Sequence, residues 1–305
     1  MKVVYFQTPK SNFGDELNRW LWPRLIGDAI SGFSHHDDKA ATTSDPDELL
    51  FYGIGTILDN RIPQAGEKII FGSGYGYGVK PEDIASAKIF FVRGKDTAKA
   101  LNLTPDKALT DPAVLLRRFF PVVAEQDKVH DIAFMPHHSS VKGNFWRKAC
   151  HELNIHYIDP QSADIDDVVK QIASSKCLIA EAMHGAIVAD TFRVPWIAIS
   201  SVKETNDFKW RDWCGTLGLD YAPIRFMAIY DAPANKSFKR LLNAIKLKIR
   251  KYQLAQVATA GGHKAMLSDV KVLNSHLEAM DEQVIKLEAY LHERGNSAST
   301  QSSRA

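Results

Sequence analysis

Through the first 125 residues one pattern recurs: a short apolar run, a glycine-rich or polar break, then residues at helical spacing. Val3–Phe6 reads as a strand and 7–14 as the loop after it. Asp15 stands where a cap would open a helix through Ile26, with Leu17, Leu21, Trp22 and Leu25 on its apolar side. Leu49–Tyr52, Lys68–Phe71 and Lys88–Val92 repeat the run, ended by Gly53 and Gly55, by 72–78, and by Arg93 and Gly94. Strands alternating with helices predict a parallel sheet with helices on both faces.

The pattern restarts near 121–128. Strands are expected at 131–135, 156–158, 177–180 and 195–200, with helices at 145–153, 165–174 and 183–191. The predicted fold is α/β: two doubly wound Rossmann-like domains, 1–125 and 126–235, facing across a cleft. A C-terminal helical extension covers 236–294, and a serine-rich tail, 295–305, is expected to be disordered. In the extension Phe238, Leu241, Leu242, Ile245, Ile249 and Tyr252 keep helical spacing amid Lys236, Lys239, Arg240, Lys246, Lys248, Arg250 and Lys251. That basic face suits either solvent or an anionic membrane surface. Beyond it Val270, Leu273, Leu277, Met280, Val284, Leu287 and Leu291 keep a heptad spacing. The heptads fit a homodimer, or a helix folded back on its own chain.

With 38 basic and 36 acidic side chains in 305 residues the net charge is +2, which gives no basic footprint for nucleic acid. A 45% hydrophobic content excludes general disorder. Three scattered cysteines form neither a zinc pattern nor a disulfide framework, and no apolar run is long enough to span a bilayer or form a signal-peptide core. A cytoplasmic protein without metal is expected.

Ligands of doubly wound sheets bind beyond the carboxyl ends of the strands, so the breaks after each apolar run are where chemistry belongs. Asn12, Gly14 and Asp15 lie at a helix N-terminus, which attracts anions; Asp15 as plain cap is the other reading. Gly74 and Tyr75, in the 72–78 run, offer close backbone approach and a ring for stacking on sugars, or else a tight turn. Arg93 ends a buried strand with a fork matched to phosphate or carboxylate, or forms a salt bridge. His184 and Gly185 open a small-residue helix where an imidazole can donate to phosphate or move a proton. His137 and His138 occupy the matching position of an earlier strand, and Lys203 and Arg211 lie downstream. His35-His36-Asp37-Asp38 has metal-like composition but diverging side chains, and reads as a solvated loop.

The segments Asn12-Phe-Gly-Asp-Glu-Leu-Asn18, Phe51-Tyr-Gly-Ile-Gly55, Val92-Arg-Gly94 with Thr97-Ala98, Thr110-Asp-Pro112, Met135-Pro-His-His138, Met183-His-Gly185 with Ala189-Asp190, and Val194-Pro195 stand in the order of the polysaccharide pyruvyl transferase family, which the chain resembles over about 1–220. The exopolysaccharide branch that includes the xanthan-type enzymes is the nearer resemblance. It implies a glycosyltransferase-B-like fold, no cofactor or catalytic metal, and transfer of the enolpyruvyl unit of phosphoenolpyruvate onto two hydroxyls of one sugar. Arg93 matches a donor-holding arginine and His184 the histidine of an Arg-Leu-His turn, whose arginine is Ala182 here. The missing cation then falls to Lys203, Arg211, His137 or His138, or the phosphate is held partly by the helix terminus. His184 is expected as the acid, and Asp15 or Glu16 as the base. The implied acceptor is a lipid-linked oligosaccharide at the inner membrane face, with peripheral membrane contact. The reading requires Arg93 and His184 to reach one donor from opposite walls. The main rival is a nucleotide-sugar glycosyltransferase with Asp190 or Glu181 gripping a ribose. A non-catalytic scaffold of an export assembly, built on the heptad tail, is the other.

Overall fold

The computed structural model describes residues 1–37, 48–82, 84, 86–141, 143–201, 206–227, 237–260 and 264–302. Strands β1 (Lys2–Tyr5), β2 (Gly32–His35), β3 (Leu50–Tyr52), β4 (Lys68–Phe71) and β5 (Lys88–Phe91) form one parallel sheet in the order β2-β1-β3-β4-β5. Strands β6 (Ala133–Met135), β7 (His156–Tyr157), β8 (Leu178–Ala180), β9 (Trp196–Ser200) and β10 (Ile224–Arg225) form a second, in the order β10-β9-β8-β6-β7. Numbered within its own half, each sheet has the same doubly wound order, second-first-third-fourth-fifth. Each therefore reverses direction between its first and third strands, where a crevice opens at the carboxyl ends.

Both faces of each sheet are covered, which is why the strands read as continuous apolar runs. In the first sheet Val3, Phe51 and Ile69 pack under helix α1 (Phe13–Ile26), while Val4, Tyr52 and Ile70 face the side closed by α2 (Lys95–Ala100). In the second, α4 (Ile165–Ala173) and α5 (Met183–Thr191) bury Val168, Val169, Ile172 and Ile187 on one face. On the other face α3 (Phe145–Glu152) contributes Trp146 and Cys150, and α7 (Ser237–Ala260) contributes Leu254 and Val257. Helix α6 (Asp207–Thr216) opens on Asn206, whose Oδ1 accepts from the N–H groups of Phe208 and Lys209.

The halves share one apolar core that runs from Val3 and Phe13 to Trp196 and Trp213. Hydrogen bonds cross the join from the Phe13 N–H to the Pro160 carbonyl (2.9 Å) and from Trp20 Nε1 to Asp166 Oδ2 (2.7 Å).

Helix α8 (Val270–Ser302) folds back on its own chain. Leu273, Met280, Val284 and Leu287 are buried in the shared core, Tyr290 meets Phe90 edge-on at 6.0 Å, and Arg118 and Arg294 pair with Asp281 and Glu67. Of the two expected uses of the heptads, these contacts are those of a helix folded back on its own chain. Within the tail expected to be disordered, the helix continues to Ser302, since no proline interrupts it and a started helix propagates cheaply; 303–305 lie outside the described residues. Helix α7 departs from its expected basic face at Arg250, which is buried and donates to the carbonyls of Met227 and Ser201. Strand β2, Gly-Phe-Ser-His, was not predicted; four mixed residues carry no period.

Candidate active site

The loop after β1 delivers Asn12 to the start of α1. Asn12, not Asp15, occupies the cap position: its carbonyl accepts from the Asp15 and Glu16 N–H groups, and its Nδ2 donates to Asp15 Oδ2 at 2.6 Å. Asp15 is therefore a first-turn carboxylate. One helical turn on, Asn18 holds the 53–55 loop, donating to the Ile54 carbonyl (2.9 Å) and accepting from the Ile54 N–H (3.0 Å). This fixes both lips of the first sheet's crevice.

Opposite, β8 runs into α5 with His184 in its first turn. A Cβ on Gly14 would lie 2.1 Å from His184 Nδ1, so glycine is required for the two helix N-termini to meet around the ring. Gly185 does the same beneath it, where a Cβ would press Met135 Sδ at 2.7 Å. The far side of the imidazole faces Asp111: Nε2 stands 3.6 Å from Oδ2, and both atoms are buried without a hydrogen-bond partner. Asp111 Oδ1 is occupied by the Ala113 N–H at 3.0 Å, capping the 3-10 turn 112–118. The result is an imidazole between a buried carboxylate and a helix terminus, an arrangement able to relay protons once a ligand closes the last half ångström.

Electrostatics divide the two acids. Burial drives the Asp15 carboxyl up to about 6, against the Asn12 hydrogen bond and the charges of His184 and Lys209. At Asp111 burial also raises the pKa, but His184, Arg93 and the Ala113 N–H together outweigh it and hold the group below the ordinary carboxylate value. His137 is held well below the usual imidazole value by burial, then by Lys209 and His138; His138 is lowered by burial and Lys209. Their rings lie 4.4 Å apart, and at neutral pH both are neutral hydrogen-bonding groups rather than cations.

Arg93 departs from expectation. Its side chain is fully buried, with Nε on Asp212 (3.1 Å), Nη1 on Thr56 (2.8 Å) and Nη2 on the Tyr75 carbonyl (3.2 Å). Asp212 also accepts from the N–H and hydroxyl of Thr97. This clamp joins the first half to α6, and a guanidinium taken out of water needs such a partner. Its charge also acts on Asp111, as that of His184 does, and three of its N–H groups are already bound within the chain. Gly74 is glycine because the Arg93 guanidinium lies against it, and Tyr75 packs edge-on to Phe208 at 5.8 Å. The Tyr75 side chain is partly exposed and its hydroxyl donates to the Gly78 carbonyl at 3.1 Å.

Among the other expected residues, Glu16 lies near Tyr5, whose hydroxyl pKa is raised by burial and by the Glu16 charge. Arg211 is exposed on α6, and Lys203 lies outside the described residues. The cation the residue pattern did not reveal is Lys209. It sits over the Tyr77 ring at 5.5 Å, and its charge acts on Asp15, His137 and His138 alike. Asp111 lies in the Thr110-Asp-Pro112 segment that carries the family resemblance but was not among the expected site residues.

The two carboxylates available to a ribose are already filled. Glu181 accepts from the His137 N–H, the Ser140 hydroxyl, and both the N–H and hydroxyl of Ser201, at 2.6–2.9 Å. Asp190 holds Trp196 Nε1 and Ser268.

Two parallel α/β halves thus hold an imidazole beside a buried carboxylate and the α1 terminus. The chain belongs to the polysaccharide pyruvyl transferase family, whose match spans residues 11–201, and is a transferase. It is 38% identical over 228 residues to the succinoglycan biosynthesis protein ExoV of Rhizobium meliloti (strain 1021), covering 74% of this chain and 67% of that protein. It is 25% identical over 234 residues to an uncharacterized protein of Acanthamoeba polyphaga mimivirus, covering 71% and 75%. Two solved structures are similar at low level: the wall teichoic acid polymerase TagF (TM-score 0.37, 10% identity, 95% of this chain and 89% of that one) and AviGT4, a glycosyltransferase of avilamycin A biosynthesis (TM-score 0.34, 9% identity, 94% and 98%).

Proposed function

We propose that the chain moves the enolpyruvyl unit of phosphoenolpyruvate onto two hydroxyls of a sugar in an exopolysaccharide repeat unit, forming a cyclic pyruvate ketal and releasing phosphate. The observation that carries this reading is His184 seated between Gly14 at the α1 terminus and the buried Asp111. The donor's charges fall to the N–H groups of α1 and α5 and to Lys209, which takes the place of the missing arginine. His184, as imidazolium, protonates the methylene carbon; CH2 becomes CH3 and C2 takes on oxocarbenium character. The first sugar hydroxyl adds to C2 and gives its proton to Asp15, whose pKa of about 6 suits both states. The C2–O bond to phosphate then breaks with its electron pair, and the Asp15 proton leaves on the phosphate. The second hydroxyl closes the ring intramolecularly and its proton restores His184. Asp111 stays ionised throughout and steadies the imidazolium.

The test is phosphate release from phosphoenolpyruvate across a panel of sugar acceptors, with thermal stabilisation by phosphoenolpyruvate compared with UDP- and GDP-sugars. Acceptor-dependent release that is lost in His184→Ala is expected; stabilisation by a nucleotide-sugar alone would overturn the reading in favour of a glycosyltransferase.

The acceptor in this reading is lipid-linked at the inner membrane face. No helix among the described residues is long and apolar enough to cross a membrane. Ile245 and Tyr252, 50% and 64% exposed with exposed Lys248 between them, give α7 an outer stripe suited to anionic lipid. Ile245→Ser with Lys248→Gln should weaken binding to phosphatidylglycerol vesicles while sparing turnover of a soluble acceptor.

A further inference from the structure

The motif His35-His36-Asp37, unused by the chemistry above, is built into a second cluster on the carboxyl edge of the first sheet. His36 is buried and its Nε2 meets Asp59 Oδ1 at 3.2 Å. Asp59, also buried, accepts from the Arg61 N–H and Nε, both 2.9 Å, and pairs with Arg61 Nη2. Its carboxylate is held far below the ordinary range; burial opposes this, but the Arg61 and His36 contacts outweigh it. A buried carboxylate thus fixes the Arg61 guanidinium from behind.

In front of it, Arg61 Nη1 pairs with Asp37, and the guanidinium lies 6.0 Å from the Phe6 ring centroid. The His35 ring lies 5.6 Å from Phe6. Both ring nitrogens of His35 are engaged, Nε2 with the Gln7 carbonyl (2.8 Å) and Nδ1 with the Asp37 N–H (2.9 Å), so it presents a ring of fixed orientation. Phe6, His35 and Arg61 are each partly open to solvent, and Asp37 is exposed.

Two planar rings beside a guanidinium and a carboxylate offer what a pyranose needs: flat apolar surface for its C–H face, and a donor–acceptor pair for two adjacent hydroxyls. We propose that Phe6, His35, Asp37 and Arg61 form an accessory saccharide subsite that holds a sugar of the acceptor chain other than the one modified. Its place supports this: Phe6 directly follows β1 and opens the loop that carries Asn12 into the active site, and Phe6 and Tyr75 pack on the same apolar cluster. The proposal rests on a saccharide acceptor, as above, but not on the donor.

Saturation-transfer NMR without phosphoenolpyruvate, using cellotetraose and a β-galactan tetrasaccharide against free glucose and galactose, tests it apart from turnover. One or both tetrasaccharides should bind, the monosaccharides at least tenfold more weakly. Phe6→Leu, which keeps the apolar filling, should weaken tetrasaccharide binding about tenfold without moving the melting temperature, and Phe6→Tyr should restore it. Arg61→Lys, which keeps the charge without the fork, should weaken it as well. Unchanged binding in Phe6→Leu, or no tetrasaccharide binding by the unsubstituted chain, overturns the subsite. Absence of phosphate release with normal tetrasaccharide binding would instead overturn the donor assignment.

Discussion

Asp15 and Asp111 are the same side chain in two environments, and the difference decides what each can do. Asp111 is fully buried beside positive neighbours and stays charged; Asp15, partly buried with weaker compensation, is pushed up to about 6. A carboxyl whose pKa is raised on folding binds its proton more tightly in the folded chain. Its contribution to stability is therefore fullest below the unfolded value of 3.8 and is lost as pH rises through about 6. Asp15→Asn should consequently raise stability at pH 7.5, by on the order of 1–3 kcal/mol, with the gain closing below pH 4, while turnover falls by a factor of about 100 or more. Urea melts at the two pH values check the first claim and phosphate release the second. Gly14→Ala is the steric counterpart: its methyl displaces the His184 ring, so kcat should fall about 100-fold with far-ultraviolet circular dichroism unchanged. At this scale the residue pattern exposed His184, Asn12 and Gly14, because each breaks an apolar run. Lys209 and Asp111 gave no such sign; one is a lysine among others on a helix, the other sits unmarked within the Thr110-Asp-Pro112 segment.

Among the elements, the short helices carry the positional work. Helices α1 and α5 face one another because each follows a strand bordering its sheet's reversal point, and α6 is locked to α2 by Arg93, Asp212 and Thr97. Removing one partner of a fully buried pair leaves an uncompensated charge, so Asp212→Asn should destabilise the chain by about 3–5 kcal/mol, read as a lower urea midpoint at unchanged m-value. Such a clamp keeps Lys209, one turn earlier on α6, in register with the histidines after β6. A strand ending in arginine suggested a ligand fork; that the fork is consumed by Asp212, 119 residues later, is a fact of packing alone.

At the level of the whole molecule, α8 closes the core that the two halves share. Leu287→Ala should cost about 2–5 kcal/mol through the cavity it leaves, with light-scattering mass unchanged, because the leucine fills its own chain's core. A change in mass on substitution would instead assign the heptads to a second copy.

Periodicity and chain breaks alone determined the two parallel sheets, most of their strands, and the helix termini where chemistry belongs, since burial on both faces and turn geometry leave local marks. What only the tertiary structure decided were the partnerships: His184 with Asp111 and Gly14, Arg93 with Asp212, the heptad face with its own core. Each joins residues far apart in the chain, and the energy that selects one partner over another is desolvation and close packing. Neither exists until the chain has folded.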